Sequence, residues 1–119
     1  MQARLFSITK KKDFDAIFKK GRSAFDKRLG IRAALNQEGK VRLGVIISLK
    51  VSKKAVLRNR LKRRLKEIVR ARLAEIRPDL DLLIIALPGA ADLTFDELRQ
   101  SVENNFKRLR IGNDRTIKR

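Results

Sequence analysis

Apolar positions recur along the chain with two different periods, and the switches between them mark out the elements. Phe14, Ile17 and Phe18 stand at i, i+3 and i+4 between Lys10 and Lys20, which predicts a short helix with Gly21 just beyond its last turn. Leu29 to Leu35 reads as a strand interrupted by Arg32, "NQEG" (Asn36 to Gly39) as a turn, and the β-branched run Val41 to Leu49 as a second strand. A long helix follows, from Lys53 to Ile76, with Leu57, Leu61, Leu65, Ile68 and Ile76 on one stripe and Val69 at its edge. Pro78 stops it by restricting the residue before it. "LDLLIIAL", Leu80 to Leu87, is a continuous apolar run of the kind that is buried on both faces of a sheet. Thr94 and Glu97 form a capping box ahead of a last helix whose core face is Leu98, Val102, Phe106 and Leu109. The predicted order is α-β-β-α-β-α: an α+β fold, with a small mixed sheet and helices packed against it. All 119 residues form one domain, residues 112–119 being a flexible tail.

Charge changes the picture from fold to partner. Lys and Arg number 31 against 13 Asp and Glu, a formal net charge of +18, which points to polyanions and first to nucleic acid. The excess is concentrated. Between Lys50 and Arg72 stand eleven cations: Lys50, Lys53, Lys54, Arg58, Arg60, Lys62, Arg63, Arg64, Lys66, Arg70 and Arg72. Glu67 is the one acid among them, so few intrahelical ion pairs can form. The side of the helix opposite the apolar stripe carries Asn59, Arg60, Arg63, Lys66, Glu67 and Arg70. Such a face predicts binding to RNA or DNA with a steep salt dependence, and the Asn59 amide could reach a 2′-OH or a base edge. In the first helix, Phe14 and Phe18 lie one turn apart among Lys10, Lys11, Lys12, Lys19 and Lys20. That composition suits stacking of single-stranded bases, and equally two rings packed into a core. Phe6, Phe25, Phe95 and Phe106 are assigned to core or edge packing.

The chemistry of cleavage is missing from the chain. There is no His and no Cys, so neither the commonest acid/base group near neutral pH nor a thiolate metal site is available. Asp13/Asp15 and Asp79/Asp81 are the candidate Mg²⁺ ligands. However, i,i+2 carboxylates diverge on a helix and the second pair flanks a strand start, so both pairs read as helix-end and turn residues. No catalytic residue and no metal ligand is assigned to this polypeptide. The N-terminal stretch lacks a secretory apolar region, and the longest apolar run, Leu82 to Leu87, is strand-sized. The basic helix has no aromatic anchor on its apolar stripe, which counts against a membrane-surface role. A cytoplasmic protein without an obligate protein partner is expected.

"AVLRNRLKR", Ala55 to Arg63, resembles the RNR signature of the protein component of bacterial ribonuclease P. "RLGVIIS", "VSKKAV" and "KKDFDAIFKKGRS" are similar to the family's segments before that signature and in its first helix. The resemblance implies a ribosomal-protein-like fold with a left-handed crossover through the basic helix. It implies catalysis in an RNA subunit that uses Mg²⁺, with the protein assisting in maturation of the tRNA 5′ end. Contacts with that ribonuclease P RNA are then expected from Lys53, Lys54, Arg58, Asn59, Arg60, Lys62, Arg63, Lys66 and Arg70. The 5′ leader of precursor tRNA is expected on Phe14, Phe18, Lys11, Arg32 and Lys50. Arg32 stands where the family often has Tyr or Phe, and Leu49 where it often has Lys. The competing reading is a structural ribosomal or rRNA-chaperone protein built on the same charge logic.

Overall fold

The computed structural model describes residues 4–111, so the tail expected over 112–119 lies outside the described residues. Five strands and three helices run in the order β1 (Phe6–Ser7), α1 (Lys11–Lys20), β2 (Arg22–Phe25), β3 (Leu29–Leu35), β4 (Arg42–Ile46), α2 (Ala55–Ala71), β5 (Leu80–Ala86) and α3 (Phe95–Leu109). They form one mixed sheet in the order β1-β4-β5-β3-β2. The β1–β4 and β4–β5 pairs are parallel, the β3–β5 and β2–β3 pairs antiparallel. The α+β class and the mixed sheet are as read from the sequence. α2 connects two neighbouring parallel strands and is therefore a crossover; its hand stays an expectation of the family resemblance.

Two strands were not legible, and the expected element order is corrected to β-α-β-β-β-α-β-α. β1 has two residues, and in β2 only Ala24 is buried, so neither carries an alternating apolar signal. Both are edge strands that exist through pairing with β4 and β3. β4 stops at Ile46 rather than Leu49, because beyond the Ile46–Ile85 pair β5 turns away. Leu87 N–H donates to Arg28 O at 2.9 Å on the β3 side, and Pro88 has no N–H to offer. α2 ends at Ala71 rather than Ile76: the chain tightens into a 3₁₀ turn, Leu73–Glu75, that keeps Leu73 and Ile76 in the core. Gly21 closes α1, though not in a left-handed conformation. Its φ is −75°, and a Cβ there would lie 2.4 Å from Ile17 O, so the small residue answers a close approach of backbone.

The two faces of the sheet are unequal. On one, Leu29, Ile31, Leu43, Leu82 and Ile84 pack against Leu61, Leu65, Ile68 and Val69 of α2 and Leu98, Val102 and Leu109 of α3. Each such side chain contributes roughly 1.5–3 kcal/mol by leaving water, so this is the face that holds the fold. On the other, a smaller cluster of Ile8, Ile17 and Leu83 is flanked by half-buried Phe14, Ala34, Ile46 and Ile85. The predicted capping box is present: Thr94 N–H donates to Glu97 Oε1 at 2.9 Å, and Glu97 N–H donates to Thr94 Oγ1 at 3.1 Å. Among the described residues, no helix is long and apolar enough to cross a membrane.

Candidate nucleic-acid interface

The ion pairs among the described residues lie off the solvent face of the basic helix. Arg42 of β4 forks onto Asp81, Nε to Oδ1 and Nη2 to Oδ2 both at 2.7 Å, and Asn36 Nδ2 donates to the same Oδ1 at 2.7 Å. Asp13 of α1 sits 3.6 Å from Arg42 Nη1, so one guanidinium ties α1, β4 and β5 together. The hydrogen bonds that Arg42 donates to Asp81 outweigh burial and raise the Arg42 pKa further, so its charge is permanent. Asp79 pairs with Arg77 at 3.5 Å. Glu103 accepts from Arg72 and Arg99, Glu75 from Arg72 and Asp96 from Arg99. Of the acids considered as metal ligands, Asp13, Asp79 and Asp81 are thus each held by an arginine. Among the described residues, no group of three or more carboxylates, His or Cys could hold a metal ion.

α2 presents the reverse condition. Among the described residues, Arg58, Arg60, Lys62, Arg63, Arg64, Lys66 and Arg70 have no carboxylate within ion-pair distance. The helix has no acid in its first turn and no side-chain cap at Lys54. Burial of Leu61, Leu65, Ile68 and Val69 turns Asn59, Arg60, Lys62, Arg63 and Arg70 to solvent, with Lys66 partly covered. Lys53 and Lys54 are exposed just before the helix. Arg58 differs from the rest: it is half-buried and Nη1 donates to Ser52 O at 2.9 Å, bracing the loop that leads into α2. Val56 heads the solvent-facing stripe at 76% exposure, an apolar position that helical spacing did not single out.

The second candidate surface is a cleft on the face of the sheet that α1 only partly covers. Strand register sets Ser23, Arg32, Leu83 and Gly44 in one row, and Phe25, Gly30, Ile85 and Ile46 in the next. α1 lies over the first row. A Cβ on Gly44 would meet the Phe14 ring at 2.7 Å, so this glycine makes room for that ring. At the other end of the row, Arg32 Nη2 donates to Phe18 O at 2.8 Å, and the guanidinium lies 5.3 Å from the Phe18 ring centroid. The two rings fare differently: Phe14 is half-buried in the small cluster, whereas Phe18 is 43% exposed. Of the sequence-predicted cleft residues, Phe14, Phe18 and Arg32 are therefore brought together. Lys11 is exposed in the first turn of α1, and Lys50 in the turn after β4, where its N–H donates to Ser48 Oγ at 3.2 Å.

The second row adds a cleft residue that sequence reasoning did not single out. Phe25, assigned to core or edge packing, lies across Gly30 on the cleft side and is 42% exposed. The usable signal was the pair itself: a glycine inside a strand, with an aromatic five residues earlier across a tight turn. Asp26 fixes that turn, its Oδ1 accepting from the N–H groups of Arg28 and Leu29 at 2.8 Å each. Burial opposes the Asp26 charge. The hydrogen bonds from Ser101, Leu29 and Arg28, together with the Arg108 guanidinium, outweigh that and hold its pKa below the ordinary carboxyl value.

Comparison with known proteins agrees with this geometry. The sequence model of the family described as Ribonuclease P matches residues 3–110. The chain is 32% identical to the ribonuclease P protein component of Cyanothece sp., with 93% of this chain and 97% of the relative covered. It is 36% identical to that of Clostridioides difficile, covering 92% and 96% respectively. Its fold superimposes on the ribonuclease P protein of Staphylococcus aureus with a TM-score of 0.83, at 32% identity, over 92% of this chain and 100% of the other. The ribosomal alternative is not favoured by these matches. A chain so similar along nearly its whole length, with an RNR helix whose cations lack carboxylate partners among the described residues, belongs to the ribonuclease P protein family.

Proposed function

We propose that this polypeptide grips the ribonuclease P RNA with the solvent face of α2 and seats the 5′ leader of precursor tRNA in the cleft beside α1. Cleavage itself belongs in this reading to the RNA, as does the Mg²⁺, which supplies a metal-activated water for attack on the phosphodiester. The observation that carries the proposal is the contrast in charge pairing. Acids neutralise Arg42, Arg72, Arg77 and Arg99, whereas seven cations of α2 have no carboxylate partner among the described residues. Like charges left together on one helix weaken it slightly, and phosphates are the ligands that reverse this. The cleft suits a single strand: its floor is apolar, the Phe18 face is accessible, and cations at Lys11, Lys50 and Arg32 lie around it. Site of action is the cytoplasm, where precursor tRNA is processed in bacteria.

The test adds the purified protein to its cognate RNA and precursor tRNA at low Mg²⁺. The expected result is tighter precursor binding and faster cleavage than with RNA alone, together with no cleavage by the protein alone. Binding and cleavage both unchanged by the protein would overturn the proposal.

A further inference from the structure

Phe25, Gly30, Ile85 and Ile46 form a line across four strands on the cleft side. Gly30 has no side chain to contribute, and the Phe25 ring occupies that space: a Cβ built on Gly30 would lie 2.1 Å from ring Cε2. An aromatic ring laid over a cross-strand glycine stabilises a sheet, and this accounts for the ring face turned toward the strands. It does not account for the other face. Phe25 leaves 42% of its surface in solvent, as much as Phe18 at 43%. A large apolar ring with one face held and one face open is a stacking platform.

Arg32 makes the platform more telling. It lies on the same face, one register step from Phe25, opposite Ser23. Its Nη2 is already bonded to Phe18 O and its guanidinium lies against the Phe18 ring, so its flat side is taken up by α1 while its charge stays beside the cleft. The flat surface that β3 itself offers is thereby withdrawn from the cleft, and the Phe25 ring supplies one from the neighbouring strand. The ring is also pre-set. Asp26 pins the turn beside it, and Arg108 Nη1 donates to Phe25 O at 2.8 Å, which brings a cation to the same edge. Little freedom is lost when a base lands on such a ring, and a backbone phosphate has a guanidinium at hand.

We propose that Phe25 stacks an unpaired nucleobase of the precursor leader at the outer edge of the cleft. This rests on the reading of the cleft as the seat of the leader. The occupant is any unpaired base, because every base has a π-face and stacking on a ring is tolerant of sequence.

The experiment uses the complete ribonucleoprotein, reconstituted with its RNA, and two ligands: precursor tRNA with a long single-stranded leader and the same tRNA without one. Phe25→Leu keeps an apolar cover over Gly30 and removes the flat ring. It should bind the leader-bearing precursor at least roughly 5-fold more weakly, with binding of leaderless tRNA unchanged. Phe25→Trp should retain affinity. Because the chain contains no Trp, its emission reports on this one position and should be quenched by the leader-bearing RNA alone. If the wild type discriminates between the two RNAs while Phe25→Leu binds both like wild type and the Trp emission is not quenched, the ring is only a cover for Gly30 and the proposal is overturned. If the wild type itself fails to discriminate, the reading of the cleft falls, and the role of Phe25 with it.

Discussion

Replacing Arg60, Arg63 and Arg70 together by Gln tests the basic helix where the structure leaves least ambiguity. All three are exposed, none has a carboxylate partner among the described residues, and Gln is a helix former comparable to Arg. Surface substitutions of this kind stay within about 0.5 kcal/mol each, so the fold should survive. If each guanidinium neutralises one phosphate, the slope of log affinity against log salt becomes shallower by roughly 0.7–0.9 per residue, or about 2 to 3 in total. A fourfold rise in salt would then cost the variant roughly 20- to 40-fold less affinity than it costs the wild type. The assay is binding of the protein to the ribonuclease P RNA across a salt series, with unfolding curves recorded in parallel. A variant that melts like wild type and binds with an unchanged slope would show that these cations do not meet phosphates, and the docking argument for α2 would be wrong. Loss of affinity without a change of slope would also refute it, since that pattern belongs to uncharged contacts.

Two further outcomes concern the framework that aims these surfaces. Asp81→Ala strands Arg42 between β4 and β5 and leaves the Asn36 amide only Lys40 O as acceptor, and should cost about 3 kcal/mol in urea unfolding. That is the lower end for a buried pair, because Arg42 keeps Asp13 at 3.6 Å; a loss below about 1 kcal/mol would refute the idea that this pair braces β4 against β5. Asp26, whose folded pKa lies below its unfolded value, stabilises the fold fully above the ordinary carboxyl range and progressively less as pH falls through the folded value. The stability gap between wild type and Asp26→Asn should therefore be largest above about pH 4 and shrink in acid, and a gap independent of pH would contradict the assigned interactions.

What the sequence made legible follows from where the determining forces act. The α2 stripe, the β5 run and the Thr94–Glu97 box are local patterns whose meaning survives in any fold that buries one helix face or one strand. β1 and β2 are the opposite case: Phe6–Ser7 and Arg22–Phe25 are strands only because β4 and β3 offer them hydrogen bonds, and no spacing records a partner far along the chain. The same limit separates Phe14 from Phe18. Helical spacing places both on one side of α1, yet Gly44 opens a seat for the first ring while Arg32 meets the second near the sheet edge. Arg58 was read with the other cations of the RNR segment, but its bond to Ser52 O makes it partly a brace, a role visible only once the preceding loop has a path. Phe25, read only as core or edge packing, does pack at the sheet edge; that it also borders the cleft depends on its cross-strand register with Gly30.

In the proposed reading, the division of the sheet into two faces lets one small subunit of a tRNA 5′-processing ribonucleoprotein meet two RNA surfaces. The face that buries most apolar area carries α2 and α3, so the cations of α2 point away from the sheet on that side. The opposite face carries only α1, whose ten residues cover the row through Leu83 and leave the row through Ile85 open. A short connection, from the end of β4 through Lys50 to Lys53 and Lys54, links the two faces. A large RNA held against α2 therefore need not cover the cleft, and a strand in the cleft need not displace it. Substitutions on two such surfaces, sharing no partners, should add to within about 0.3–0.5 kcal/mol. An incomplete sheet face is ordinarily a weakness in so small a core; here it is the surface left over once stability has been secured on the other side.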